Sequence, residues 1–215
     1  MPVPIALTLL ALAALLVAER RESQTGVWIP KPLASLGFVW LALALGDFRA
    51  GGGPPYAGLV LLGLVLSWLG DVLLIPREHA LVFRAGIFSF LLAHVAYLVA
   101  FASRGLDTTA AGVGAALLLG PAILFLRWLR PSLAPDFVLP VFAYVAVISL
   151  MLVCAGATVA AAGDPRILIG ALMFACSDLS VARDRFVSKG FLNAAWGLPL
   201  YFGGQLVLAS TVAPA

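Results

Sequence analysis

The chain has 215 residues, of which 63% are hydrophobic and only 11% charged, and its formal net charge is +3. Soluble domains carry about 25% charged residues, so this composition excludes a soluble globular protein. The small positive charge does not indicate nucleic-acid binding, because the basic residues lie in short loops between apolar segments. We therefore expect an all-α integral membrane protein with a single polytopic membrane domain over residues 1–215.

Apolar segments separated by Pro, Gly and charged residues predict eight transmembrane helices, since about 20 apolar residues cross a bilayer. In chain order the predicted helices span residues 2–18, 32–46, 56–75, 83–102, 109–129, 136–160, 166–182 and 192–212. The first has no basic start and no cleavage signal followed by a soluble body, so we expect a retained span. Without a targeting signal, we expect a multi-pass protein of the cell inner or plasma membrane.

The basic residues predict the orientation in the membrane. Ten of the 13 Lys and Arg residues lie in or beside the loops after helices 1, 3, 5 and 7, whereas Arg49, Arg104 and Arg166 lie in the alternate loops. Basic loops face the cytoplasm, so both termini are predicted to be non-cytoplasmic.

Two segments suggest an internal repeat. Helix 3 ends in SWLGDVLL and helix 7 in FACSDLSV, which places Asp71 and Asp178 107 positions apart. The same offset carries His94 to Tyr201. A 4+4 arrangement, two four-helix halves related by an axis along the membrane normal, would explain this register; chance similarity is the alternative.

Polar side chains inside the spans point to a buried site. An ionisable group within a span costs roughly 2.5–3.5 kcal/mol and usually faces the bundle interior or a cavity. Spacings of three and four residues place these side chains on one face of helices 3, 4 and 8, so we expect three polar stripes that face one another. The ionisable residues are Asp71, His94 and Asp178, and the other polar ones are Ser67, Tyr97, Tyr144, Ser177, Asn193, Tyr201 and Gln205.

Each of these residues also has a structural interpretation. Asp71 and Asp178 have Arg77 and Arg183 as possible ion-pair partners, and His94 has a possible role as an interhelical hydrogen-bond donor. Lys31, followed by proline, is also typical of an interfacial anchor at a helix start. We expect Tyr144 to serve packing, and Cys154 and Cys176 to be small buried residues.

The motifs of several hydrolase and metal-site classes are missing from the sequence. It has no G-x-S-x-G, no H-E-x-x-H and no Cys/His cluster, and with two histidines it has no three-histidine zinc site. We expect no metal and no cofactor. Two carboxylates in a lipid-accessible pocket favour general acid/base chemistry on a lipid.

Five short motifs in order along the chain carry a family resemblance. They are K-P at Lys31, G-D at Asp71, H-x-x-Y at His94 and Tyr97, S-D at Ser177 and Asp178, and Y-x-x-x-Q at Tyr201 and Gln205. With eight short-looped spans, this pattern resembles the YhhN/TMEM86 family of lysoplasmalogenases. The resemblance implies hydrolysis of the vinyl-ether bond of a lysoplasmalogen to a fatty aldehyde and glycerophosphoethanolamine or glycerophosphocholine.

The chemistry of that reaction predicts a role for each polar residue. Protonation of a vinyl ether gives an oxocarbenium ion, so we expect Asp71 and Asp178 to be catalytic, one as a protonated acid and the other as a stabilising anion. Lys31 and Asn193 are predicted to hold the headgroup, and Phe90 and Phe101 to line the tail. The residues expected to position water or the ether oxygen, or to support those that do, are His94, Tyr201, Gln205, Ser67, Ser177 and Tyr97.

The expected partners are a lysophospholipid substrate and membrane lipids, with no nucleic acid. Three alternatives remain open at this point: a lipid-binding or lipid-transporting protein without catalysis, a hydrolase of other ether or ester lysolipids, and a structural assembly protein.

Overall fold

The computed structural model describes residues 2–46, 48, 55–76 and 79–213, and within them every regular element is helical. Eight α-helices follow one another, which confirms the predicted all-α class. They are α1 (Pro2–Arg20), α2 (Pro30–Leu45), α3 (Pro55–Leu73), α4 (Ala80–Ser103), α5 (Thr108–Leu129), α6 (Pro135–Ala162), α7 (Pro165–Ala182) and α8 (Phe191–Ser210).

Local sequence explains where several helices begin and end. Proline occupies the first turn of α2, α6 and α7, where the missing N–H costs nothing. The Asp107 and Asp164 side chains accept hydrogen bonds from the free N–H groups that begin α5 and α7. Gly163 caps the end of α6, and its φ of 79° is a left-handed conformation that glycine adopts without strain.

Seven of the eight helices in the described ranges are long and apolar enough to cross a membrane. The exception is α8, which has 20 residues and buries the polar side chains of Asn193, Tyr201 and Gln205. The chain is therefore a multi-pass membrane protein. The orientation of the termini remains a prediction, and two residues of the charge argument, Arg49 and Arg77, lie outside the described residues.

The two halves of the bundle pack in matching ways. Each of α1, α2 and α3 packs against the next helix, as do α5, α6 and α7; between the halves, α4 packs on α6 and α8 on α2. Gly63 and Gly170 are again 107 positions apart, and a Cβ on either would lie within 2.7 Å of a side chain of the following helix. This reciprocal packing is what a two-fold relation between four-helix halves requires.

The match between the halves fails at one helix. Helix α1 packs on both α2 and α8, which closes the first half. In the described structure α5, its counterpart in the second half, packs closely on α6 alone. Leu129 is the only buried residue of α5. The second half is therefore open where the first half is closed.

Candidate active site

The first group of polar residues surrounds Asp71 in the bundle interior, and we call Lys31, Ser35, Asp71 and Tyr201 the Asp71 cluster. Asp71 Oδ2 accepts hydrogen bonds from the Ser35 hydroxyl at 2.5 Å and the Tyr201 hydroxyl at 2.6 Å. Lys31 Nζ lies 3.6 Å from Asp71 Oδ1, and Asp71 is only 2% exposed. A buried carboxylate is stable when an opposite charge and hydrogen bonds replace its hydration, and this cluster supplies both.

A chain of hydrogen bonds extends the Asp71 cluster along the bundle. The Tyr97 hydroxyl donates to Gln205 Oε1 at 2.6 Å, and Gln205 Nε2 donates to Ser67 Oγ at 3.1 Å. All three side chains are buried. The prediction that α3, α4 and α8 turn their polar stripes toward one another is confirmed by these contacts.

The second group consists of His94 from α4, Tyr144 from α6 and Asp178 from α7, and we call it the Asp178 cluster. His94 Nε2 lies 3.2 Å from Asp178 Oδ2, and the Tyr144 hydroxyl donates to the same oxygen at 3.3 Å. The Asp178 side chain is 16% exposed, whereas that of His94 is 0% exposed. His94 therefore lies on the buried side of the Asp178 carboxylate, away from its exposed part.

The contacts of the imidazole specify where its protons are. His94 Nδ1 lies 2.8 Å from the Phe90 carbonyl oxygen, which only accepts, so Nδ1 carries a hydrogen. Nε2 is close to Asp178 Oδ2 but outside hydrogen-bond alignment with it or with any other described atom. Two unprotonated atoms at this distance repel each other, and one proton on either makes the contact attractive. The contact thus places an imidazole nitrogen directly beside the carboxylate at the cavity.

Aromatic rings separate the two clusters. The Phe174 ring stacks on His94 with centroids 4.2 Å apart, and its centroid lies 5.7 Å from that of the Tyr201 ring. The sequence suggested two carboxylates at the mouth of one pocket. The structure instead places Asp71 in a closed interior and Asp178 beside a cavity that Asp71 does not line.

The cavity has a volume of about 760 Å³ and lies where α5 stands away from α4 and α7. This volume is within the roughly 300–1,000 Å³ typical of ligand sites. One face of α6 lines it from Asp136 to Leu152, with Tyr144 eight residues from either end, or about 12 Å in each direction. The Asp178 cluster is therefore halfway along the cavity.

The two ends of the cavity differ in polarity. Arg84 and Asp136 line one end and are both exposed. Leu152 and Leu172 line the other end. Apart from Asp178 in the middle, the charged side chains of the lining are thus all at one end of the cavity. This end lies on the side of the loops that carry most of the Lys and Arg residues.

The geometry does not support the headgroup role predicted for Lys31 and Asn193. Neither lines the cavity, and Lys31 is paired with Asp71. Asn193 Oδ1 accepts from the Arg183 guanidinium, while Nδ2 donates to the Ser188 carbonyl at 2.7 Å and to Asp184 at 2.9 Å. These three hydrogen bonds of the buried amide fasten the connection between α7 and α8.

Two further predictions are corrected. Phe90 and Phe101 are buried core residues that do not line the cavity, so they provide no channel for a tail. Cys176 was expected to be buried but is exposed and lines the cavity, and Cys154 is half-buried. The Ser177 hydroxyl donates to the Phe174 carbonyl of its own helix, so it braces α7.

Sequence reasoning did not assign three residues to the site that the structure places at the cavity. Tyr144 was assigned to packing, and Arg84 and Asp136 were not among the candidate site residues. One signal was present in the sequence, because Asp136, Pro140 and Tyr144 follow one another at intervals of four and therefore form one stripe along α6. Only the contact with α7 shows that this face meets a carboxylate.

Comparison with known proteins places the chain in a family. The YhhN family model matches residues 26–212. The chain is 32% identical to lysoplasmalogenase TMEM86A of Homo sapiens over 189 residues, 83% of this chain and 73% of that protein. It is also 32% identical to lysoplasmalogenase TMEM86A of Bos taurus over 166 residues, 72% of this chain but only 65% of that protein. No solved structure matches the chain. The chain belongs to the YhhN family.

Proposed function

We propose that this protein hydrolyses the vinyl-ether bond of lysoplasmalogens, releasing a fatty aldehyde and glycerophosphoethanolamine or glycerophosphocholine. The relatives named as lysoplasmalogenases support this reaction class. The observation that carries the proposal is the Asp178 cluster, a carboxylate and an imidazole 3.2 Å apart, halfway along an apolar cavity.

The reaction begins with a proton transfer to carbon. The double bond takes the proton on its β-carbon, and the positive charge is shared between the α-carbon and the ether oxygen. Water adds to the α-carbon and loses a proton, which gives a hemiacetal. Transfer of a proton to the glycerol oxygen then breaks the carbon–oxygen bond, so one vinyl ether and one water become an aldehyde and an alcohol.

In this proposal Asp178 is the catalytic residue that touches the substrate. Its Oδ2 faces His94 and Tyr144, while Oδ1 has no protein partner in the described structure and is free for a ligand. The Asp178 carboxyl group passes a proton to the β-carbon, and the ionised carboxylate then stabilises the cation. At about 4 Å and an effective dielectric constant of 20, that attraction is about 4 kcal/mol, or about a thousandfold in rate.

His94 acts through Asp178 as a positioning residue, because it is fully buried behind the carboxylate. Its second nitrogen is held by the Phe90 carbonyl, which orients Nε2 toward Asp178. The Asp71 cluster has a structural role here, since Asp71 is engaged by three donors away from the cavity.

We further propose that the protein resides in the inner or plasma membrane with the Arg84 end of the cavity toward the cytoplasm. The distribution of Lys and Arg supports this orientation. Reporter fusions at the two termini test it, and a cytoplasmic signal from either terminus contradicts it.

The test of the activity is aldehyde release from 1-alkenyl-lysophosphatidylethanolamine by the purified protein. We expect aldehyde from the wild type and from Asp107→Asn, which lies outside the cavity and keeps a helix-capping side chain. We expect almost none from Asp178→Asn. No aldehyde from folded wild type with either the ethanolamine or the choline headgroup would rule out the proposed reaction.

A further inference from the structure

The charged end of the cavity has a pairing of groups that the hydrolytic chemistry does not use. Arg84 from α4 and Asp136 from α6 both line this end and are exposed. The Arg84 guanidinium lies 5.7 Å from the Phe137 ring centroid, and Phe137 meets Phe186 with ring centroids 5.5 Å apart. One cation, one anion and two aromatic rings are therefore gathered at one mouth.

We propose that these residues form a subsite for a zwitterionic phospholipid headgroup, with Arg84 binding the phosphate and Asp136 the ammonium group. This inference rests on the proposed function, for which it names the residues that bind the headgroup. A guanidinium is well suited to phosphate oxygens. A carboxylate beside aromatic faces suits an ammonium group, whether it donates hydrogen bonds or is fully methylated.

The length of the headgroup matches the spacing along α6. Seven bonds separate the β-carbon of a lysoplasmalogen from phosphorus and eleven separate it from nitrogen, or about 8 Å and about 13 Å when extended. Asp136 is eight residues from Tyr144, about 12 Å along the helix axis. Phe186 is likewise eight residues from Asp178. With the vinyl ether at Asp178, the ammonium group reaches Asp136.

Asp136 also has an explanation that involves no ligand. It lies in the first turn of α6, where a negative charge is favourable with the helix dipole. The two roles differ in their consequences: a helix-dipole residue affects stability equally whatever lipid is present, whereas a subsite residue discriminates between headgroups.

The experiment measures binding of saturated 1-alkyl analogues, which lack the double bond and are not hydrolysed by this route. Four probes are used: 1-alkyl-lysophosphatidylethanolamine, 1-alkyl-lysophosphatidylcholine, 1-alkyl-lysophosphatidic acid and 1-alkylglycerol. Their dissociation constants are obtained by displacement of a fluorescent lysolipid from wild type, Arg84→Gln and Asp136→Asn. The matched controls are Arg127→Gln and Asp107→Asn, which change an exposed residue and a helix cap outside the cavity.

We expect Arg84→Gln to weaken binding of the three phosphate-bearing probes about tenfold and to leave 1-alkylglycerol unchanged. Asp136→Asn is expected to weaken the ethanolamine and choline probes by a similar factor, but not lysophosphatidic acid. Equal changes for all four probes, or no change for any, overturn the subsite. Aldehyde release from the alkenyl lipids, measured in parallel, reports separately on the hydrolytic function.

Discussion

The separation of the two carboxylates predicts that their amide substitutions will affect different properties of the protein. Asp71→Asn keeps the shape of the side chain but removes the charge that balances Lys31 in the interior. Asp178→Asn removes the charge of a partly exposed carboxylate at the cavity. The first substitution should therefore act on stability and the second on catalysis.

The magnitudes follow from the contacts. Two unit charges 3.6 Å apart attract by about 5 kcal/mol at an effective dielectric constant of 20. Breaking a buried pair costs about 3–5 kcal/mol, because the remaining charge is stranded. Since the Lys31 side chain is 15% exposed and can turn toward the membrane interface, we expect a loss near the low end, about 3 kcal/mol. Asp178→Asn should change the free energy of unfolding by less than about 1 kcal/mol but lower kcat about a thousandfold.

The assay combines unfolding in detergent micelles, followed by circular dichroism, with aldehyde release per folded molecule. The double variant Lys31→Met/Asp71→Asn strands no charge, so it should lose less stability than Asp71→Asn alone. Folded Asp71→Asn should retain a kcat within about fivefold of wild type. If Asp71→Asn unfolds like wild type yet releases no aldehyde, Asp71 takes part in the chemistry and the proposed division of roles is wrong.

Three other predictions test the positioning residue, the placement of the alkenyl chain and a helix cap. His94→Gln should lower kcat about hundredfold at unchanged KM, because the amide does not hold Asp178 in place as the imidazole does; a kcat equal to that of the wild type contradicts the positioning role. If the alkenyl chain lies at the apolar Leu152 end of the cavity, Leu152→Trp should raise KM for a sixteen-carbon chain but not for an eight-carbon one, whereas Leu150→Trp, at a 55% exposed position outside the cavity, should change neither; equal KM values for both chains refute this placement of the chain. The pKa of Asp164 is lowered, chiefly by its hydrogen bond from the Arg166 side chain, so its stabilisation is present above the unfolded pKa of about 3.9 and lost as the pH falls below it. Asp164→Ala should accordingly lower the melting temperature at pH 6 more than at pH 3, and an equal decrease at both is the contrary result.

The helices and the inventory of polar groups could be derived from the sequence because both depend on local information. Hydropathy over about twenty residues, with Pro and Gly at the ends, defines a span whatever its neighbours are. Spacings of three and four residues likewise predicted that Ser67, Tyr97 and Gln205 each lie on the buried polar face of their own helix. The hydrogen bonds among them confirm this prediction.

The partner of each polar group was decided by helix packing, which local patterns do not encode. Asp71 and Asp178 look alike in the sequence, yet α1 closes the bundle over one half while α5 stands away from the other. That difference leaves Asp71 sealed with Lys31 and places Asp178 with His94 at a cavity. The sequence by itself therefore determined a membrane bundle with ionisable groups inside it. Only the tertiary structure decided which carboxylate a lipid can reach, because access depends on gaps between helices that are distant along the chain.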